Sequence, residues 1–540
     1  MPDSISIPGP EDDEHLAVFR HVRAALRLDL LPDFASRLRQ KSFSQDGEAR
    51  SCKVISEPLF GSHNILFRIV FTDGVHWLLK IPANGYHGAF DDMSARALRS
   101  EALTMRLISR ETTIPVPEVY DFDDSCNNDL NCPFILMNYV DGRPLYDAWF
   151  EQSVSLEVLE QHRRQALRDV AEALVQLNRF TFHQAGMVLF DADGHVSGDI
   201  GPFRKVDVGA MLDRSREVED YDGSSVFHEV GPFSDPRSYF THVLDRRELP
   251  SESDEFGLGM HRLLKLFIDL AVRECQPGED EEQIKSVLVH PDLDIQNVIV
   301  SKTDGHLLSL IDWDGVIAVP QCMFGNESYP SWLTRDWDAM NYRYHDETVS
   351  DGEDTGVKDD DKEDHDSKDD DAISATPNDA AFEDRNSVLY ENSPAELASY
   401  REKYQEIIAG LSDYPSARKL AHDSLVIHNL KIAADDPICT DHIIERIFEE
   451  VKAKTAKDDS TGKAAKLEDK KQGAEEEEEE KGNDDGDEEE DDTDDEDDDF
   501  YLYEVCTKLG KGELEPEQYQ RLVDGFKALF LHEAHGGSDF

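Results

Sequence analysis

VLVHPDLDIQNVIV, residues 287–300, and LLSLIDWDG, residues 307–315, are the two runs whose reading decides the fold of this chain. An apolar strand ends at His290. A turn then carries Asp292, and Asn297 follows at the start of another apolar strand. A further strand, Leu307–Ile311, delivers Asp312 at its end. Phosphoryl transfer needs a carboxylate to accept a hydroxyl proton and oxygen ligands for a metal that neutralises phosphate charge. Asp292 suits the first task; Asn297 and Asp312 suit the second. A polar turn with Asn and Asp as mere turn formers explains each residue singly. It does not explain their order and their flanking strands together.

HPDLDIQN resembles the HxDxxxxN catalytic loop of the aminoglycoside phosphotransferase and choline kinase families, and IDWD resembles their metal-binding turn. The resemblance implies an α+β, bilobal protein-kinase-like fold, with a small antiparallel-sheet N-lobe and a mainly helical C-lobe; the charge pattern adds disordered acidic insertions. It implies Asp292 as catalytic base, His290 in a supporting backbone role, and Asn297 and Asp312 as Mg2+ ligands. The cofactors it implies are ATP (or GTP) and Mg2+. It covers about residues 46–345, with a looser match near 394–434 and 500–530.

The segment before these motifs offers an independent check. SCKVISEPLF, NILFRIVF and HWLLKIP read as strands separated by Gly61-Ser62 and Asp73-Gly74, an antiparallel meander. Lys80 closes the third. In the helix expected over 92–110, Leu98, Ala102, Met105 and Ile108 share one face, and Glu101 falls within that stripe. A carboxylate on an apolar face needs a partner. Lys80 is the natural one, as in the lysine–glutamate pair of kinase-like folds. PLFGSHNILF resembles the nucleotide-covering loop, placing Gly61, Ser62 and Asn64 near phosphate. FILMNYVDGRPL matches the connection between lobes, and the resemblance implies that backbone groups around Met137–Tyr139 hold the adenine.

Departures narrow the class. Position 314 is Asp where protein kinases place Gly, and no APE-like segment follows. These features favour a small-molecule kinase and resemble fungal-type members of the phosphotransferase family. Tyr329, Trp332, Trp337, Asp336 and Asp338 follow the metal turn. They read more simply as a packed helix start than as an acceptor wall.

Lys+Arg 55 against Asp+Glu 117 gives 55 − 117 = −62. Such a charge argues against a nucleic-acid binder and against a polybasic membrane anchor. Much of it sits around Asp359–Asp371 and Glu475–Asp499, expected to be disordered, solvated spacers. Binding of a basic protein partner, or loose binding of calcium, is the other reading of these runs, although DDDKEDHDSKDDD does not match the EF-hand loop. Seven scattered cysteines without a CxxC pair suit free thiols in a reducing compartment. MPDSISIPGPEDDEH lacks the features of a leader, and no apolar run could span a bilayer, so a cytoplasmic location is expected.

The expected organisation is an N-terminal helical extension over 1–45, with a helix near 15–31, then an N-lobe over 46–138 and a C-lobe over 139–345. An acidic insertion over 346–390, helices packing on the C-lobe over 391–453, an acidic linker over 454–498 and terminal helices over 499–540 complete it. A long helix is expected near 156–182. The leading function is transfer of a nucleotide γ-phosphoryl group to a small-molecule hydroxyl. The alternatives are a catalytically silent nucleotide-binding scaffold and an acidic interaction protein.

Overall fold

Alternation along one strand sets the first lobe. In β3 (Asn64–Phe71), Ile65, Phe67, Ile69 and Phe71 are buried while the intervening residues are half-buried. The computed structural model describes residues 14–42, 51–208, 210–211, 226–275, 285–338, 340, 342–344, 390–456 and 500–531. Five other strands join β3: β1 (Cys52–Val54), β2 (Leu59–Phe60), β4 (His76–Pro82), β5 (Val119–Asp123) and β6 (Phe134–Asn138). The sheet is antiparallel in the order β1-β3-β4-β6-β5, with β2 also paired to β3. The first four strands form the expected meander, with the first predicted strand split in two.

One face of this sheet packs on α1 (Arg20–Ala25) and α2 (Leu31–Ser42), through Phe19, Val22, Leu31 and Ala35. The single helix expected near 15–31 is therefore replaced by short helical pieces. Arg27 interrupts them at φ −83° and ψ 67°, with its N–H donated to Leu130 O. A buried tie to the sheet side of the lobe outweighs local helix propensity. The other face receives α3 (Asp92–Glu111), which Asp91 caps by accepting from the Ser94 N–H at 2.8 Å. Trp77, Leu79 and Ile81 of β4 point to the α1/α2 side, so Lys80 points to the α3 side.

The chain leaves β6 through Asp141-Gly142. A Cβ on Gly142 would lie 2.4 Å from Ile299 Cγ2 and 2.8 Å from Val300 O, so glycine lets the connection lie against the strand Val298–Val300. The second lobe starts with α4 (Leu145–Trp149) and α5 (Leu156–Leu174). The helix expected to reach 182 ends at 174, passes through a 3-10 turn, and becomes a strand, Thr181–Phe182, paired with Ser286–Val287. Long-range pairing ends it. Two strand pairs appear where helix was expected. Met187–Phe190 pairs with Val196–Gly201, and Phe203–Val206 pairs with Phe227–Val230. The strands Ser286–Val289, Val298–Val300 and Leu307–Leu310 stand where the sequence places them.

A second core gathers around the helix Glu255–Glu274. It takes in the helix Ala417–Asp435, a helix over 440–456, and the helices Leu502–Lys511 and Pro516–Ala528. The crossing of Glu255–Glu274 with Leu502–Lys511 is unusually close. A Cβ on Gly259 would lie 1.8 Å from Cys506 O, and one on Gly510 would lie 1.9 Å from Glu255 O. Gly259→Ala is expected to destabilise the protein by about 3 kcal/mol, the upper end of ordinary overpacking. Urea denaturation followed by tryptophan fluorescence measures it, and a loss below about 1 kcal/mol would show that the helices can slide apart freely.

Both acidic runs, and the disorder expected of them, lie outside the described residues. No disulfide joins the seven cysteines. No described helix is long and apolar enough to cross a membrane.

Candidate functional site

The cleft between the lobes is built around one ammonium group. Lys80 Nζ lies 2.7 Å from Glu101 Oε1 and 2.9 Å from Asp312 Oδ1. Glu101 comes from the buried face of α3 and Asp312 from the other lobe, so this contact spans 232 residues of chain. The Lys80 and Glu101 side chains are 7% and 5% exposed, which only pairing makes tolerable. Burial alone would lower the Lys80 pKa, but Asp312, Glu101 and Asp314 outweigh it and hold the amine protonated. Burial pushes the Glu101 carboxyl up while Lys80 pulls it down. The protonated lysine is the firmer of these two directions, because three carboxylates surround one ammonium.

Asp312 has φ +61°, a left-handed conformation that costs a non-glycine residue about 1 kcal/mol. Its surroundings impose it. The Ile311 N–H donates to Asn297 O at 2.9 Å, and the buried Trp313 Nε1–H donates to Leu310 O at 2.9 Å. His290 braces the same turn. Its ring packs edge-on at 4.5 Å from Trp313, its Nε2 lies 2.9 Å from Ile311 O, and its Nδ1 lies 3.3 Å from the Asp292 N–H. The last contact makes Nδ1 the acceptor, so Nε2–H donates to Ile311 O. Burial lowers the His290 pKa to about 4, so the ring is neutral and supports the backbone.

Asp292 sits on the turn that follows the strand Ser286–Val289 and is exposed. Asn297 Nδ2 donates to Asp292 O at 2.9 Å and to Asp292 Oδ2 at 3.0 Å. The Asp292 pKa rises to about 6, first through desolvation by the cleft walls and then through Asp294 and Asp312. Asp294 is tied back by Arg335, which also reaches Glu391 at 3.5 Å.

Of the residues expected to form a nucleotide-covering loop, Asn64 lines the cleft with Lys80, Glu101, Ser94 and Phe90. The Gly61 N–H closes the loop on Asn64 O at 2.9 Å, and Ser62 is exposed. A Cβ on Gly61 would meet only Asn64 O, at 3.6 Å, so the loop itself does not demand glycine. Met137 is buried on β6, and Tyr139 is half-buried, with its ring beside His76 and Arg68. The Asn138 and Tyr139 N–H groups already donate to Glu118 O at 3.0 Å and His76 O at 3.1 Å. A base edge would therefore meet other groups of the connection than these two donors.

The cleft also holds a pair of which only one member, Asp314, lies in a motif the sequence singled out. Asp314 pairs with Arg204, and both line the cleft. Arg204 lies 110 residues earlier on the strand Phe203–Val206. Tyr329, Trp332 and Trp337 are buried in the core, and Asp336 makes a two-pronged pair with Arg401 at 2.7 and 3.0 Å. These residues belong to packing, as the simpler reading had it.

The described cleft thus holds Lys80 and Arg204 against Glu101, Asp312 and Asp314. His63, whose pKa burial lowers, adds no charge near neutrality. Hard oxygen donors near the ammonium include the Asp312 carboxylate, which is 46% exposed, and the side-chain carbonyl of Asn297, whose Nδ2 is engaged by Asp292. Oxygen donors of this kind suit Mg2+.

Residues 57–316 match the family model described as "Phosphotransferase enzyme family". Among curated relatives, "Altered inheritance of mitochondria protein 9, mitochondrial" of Clavispora lusitaniae is 24% identical over 307 residues, 51% of this chain and 49% of that protein. A subtelomeric hrmA-associated cluster protein of Aspergillus fumigatus is 23% identical over 330 residues, 53% of this chain and 61% of that protein. The chain spans about half the length of the first of these relatives. Among solved structures, the macrolide 2'-phosphotransferase MphH of Brachybacterium faecium superposes with a TM-score of 0.32 at 13% identity, covering 78% of this chain and 98% of that one. A ternary complex of the aminoglycoside phosphotransferase APH(4)-Ia with AMP-PNP and hygromycin B gives 0.33 at 14% identity, covering 76% and 93%.

Proposed function

We propose that this chain, whose residues 57–316 match the model of the phosphotransferase enzyme family, transfers the γ-phosphoryl group of ATP or GTP to a hydroxyl of a small molecule. The observation that carries the reading is Lys80 held between Glu101 of one lobe and Asp312 of the other, with the turn of Asp312 joined to that of Asp292 and Asn297 through the Ile311 N–H bond to Asn297 O. In this reading Lys80 binds the nucleotide phosphates. Asp292 accepts the proton of the acceptor hydroxyl as its oxygen bonds to the γ-phosphorus. The bond from that phosphorus to the β–γ bridging oxygen breaks, and the nucleoside diphosphate leaves. Asn297 and Asp312 would hold Mg2+, which supplies charge neutralisation at the phosphates. Positioning and electrostatics carry most of the barrier reduction.

Calorimetry with ATP and GTP, with and without magnesium, tests the reading. The wild type is expected to bind one of them in a magnesium-dependent manner. Asp312→Asn keeps a residue that tolerates positive φ but removes the charge. It is expected to lose the magnesium dependence and at least tenfold in affinity. A well-folded wild type that binds neither nucleotide would sink the phosphotransferase reading and leave a scaffold with this fold.

A further inference from the structure

The cation that sequence reasoning missed sits beside the one it found. Arg204 lines the same cleft as Lys80 and Asn64, and its side chain is 10% exposed. A guanidinium carries five N–H donors. Arg204 Nη2 bonds to Asp314 Oδ1, and the flat face of the group lies 4.6 Å from the centroid of the Phe227 ring. A charged pair and an aromatic face thus fix the guanidinium plane while donors remain to serve the cleft.

The mount reaches the nucleotide loop as well. Arg204 and Phe227 belong to a two-stranded ribbon, Phe203–Val206 paired with Phe227–Val230. Phe227 packs edge-on at 5.4 Å from His63, the residue before Asn64. Glu229 on the same ribbon pairs with Arg96 of α3. Lys205, next to Arg204, is anchored by Asp435 at 2.6 Å. The ribbon therefore touches the loop, α3 and the metal turn at once, and Arg204 is the side chain it delivers among them. Two cations face three carboxylates, so a polyphosphate would enter together with a divalent cation that makes up the balance, meeting the two cations on one side and the metal's oxygen ligands on the other.

We propose that Arg204 is a phosphate-binding residue of the nucleotide site, supplied by this ribbon and oriented by Asp314 and Phe227. The inference rests on the phosphotransferase reading above. The competing role is purely structural, with Arg204 present only to neutralise the Asp314 carboxylate, whose pKa it depresses.

Calorimetry on the full chain separates the two, with magnesium–ATP and with adenosine as probes. Arg204→Ala is expected to weaken magnesium–ATP at least tenfold while changing adenosine affinity less than twofold. Arg204→Lys should recover only part of the loss, because an ammonium cannot reproduce the planar fork. The decisive variant is Arg204→Ala combined with Asp314→Asn, which leaves no carboxylate to neutralise. Persistent ATP weakness in it supports phosphate binding, and restoration to wild-type affinity overturns the proposal. Equal losses for ATP and adenosine also overturn it. Failure of the wild type to bind ATP would remove the nucleotide reading itself, a result distinct from normal wild-type binding with an indifferent Arg204→Ala.

Discussion

Asp292→Asn is expected to lower phosphoryl transfer by roughly 10²- to 10⁴-fold, the range for a positioned general base. Asparagine keeps the size of the side chain and can still meet Asn297, so nucleotide affinity should change little. The raised Asp292 pKa, to about 6, adds a pH signature. A base must be ionised, so kcat/KM should fall as pH drops through about 6 in the wild type. The sign also fixes a stability effect. A carboxyl raised above its ordinary value favours the folded state most at low pH and loses that contribution as pH rises through the folded value. Above about pH 6, Asp292→Asn should therefore melt no lower than the wild type, and somewhat higher. A variant that loses turnover and melts earlier would mean that Asp292 serves the fold instead. Turnover can be followed as nucleotide consumption with a hydroxyl acceptor found by metabolite screening.

Lys80→Met carries the second large effect, and it falls on stability as well as binding. The variant strands Glu101 on a buried face with Asp312 and Asp314 nearby. Removing one partner of a buried pair costs about 3–5 kcal/mol. Glu101 escapes by taking up a proton, because its carboxyl is already raised by burial and loses the downward pull of Lys80. Stability of the variant should be greatest in mild acid and decline as pH rises, since the unfolded chain ionises Glu101 more readily than the folded one. Adding Glu101→Gln should restore most of the melting temperature without restoring nucleotide binding. Recovery of both would show that Lys80 acts only as a counter-ion.

The parts of this structure that local pattern can express were legible. Period-two burial runs through β3, and in β4, whose last four residues are all buried, strand geometry turns Lys80 away from Trp77, Leu79 and Ile81. Helical spacing places Glu101 among Leu98, Ala102, Met105 and Ile108, and the buried pair follows. The turns carrying Asp292 and Asp312 are short, so their residues had to converge once their strands paired.

What escaped was set by partners far away in sequence. The end of α5 at Leu174 depends on Phe182 pairing with Ser286, not on any breaker in the helix. The strand Phe203–Val206 is a four-residue segment with no alternation long enough to read. Its Arg204 meets Asp314 only through the fold. The Asn138 and Tyr139 amides illustrate the same limit, because their acceptors, Glu118 and His76, are fixed by the order of strands in the sheet. Sequence placed the connection between lobes and could not say which of its donors were already taken.

The close seat of Leu502–Lys511 on Glu255–Glu274 bears on synthesis as well as stability. The sheet lobe's core draws on residues 19–136, so it can close while most of the chain has yet to be translated. The second core draws on residues 240–530, with the Phe267 ring stacked 4.7 Å from that of Phe526. Until residue 530 clears the ribosome, the apolar flank of Glu255–Glu274 has no complete cover. Nascent chains should therefore carry a finished first lobe beside an unfinished second, the Glu255–Glu274 flank staying open to chaperones for the time it takes to translate the 250 or so residues from Glu274 to Phe530. A premature stop anywhere before the Pro516–Ala528 helix would leave the chain in that state permanently.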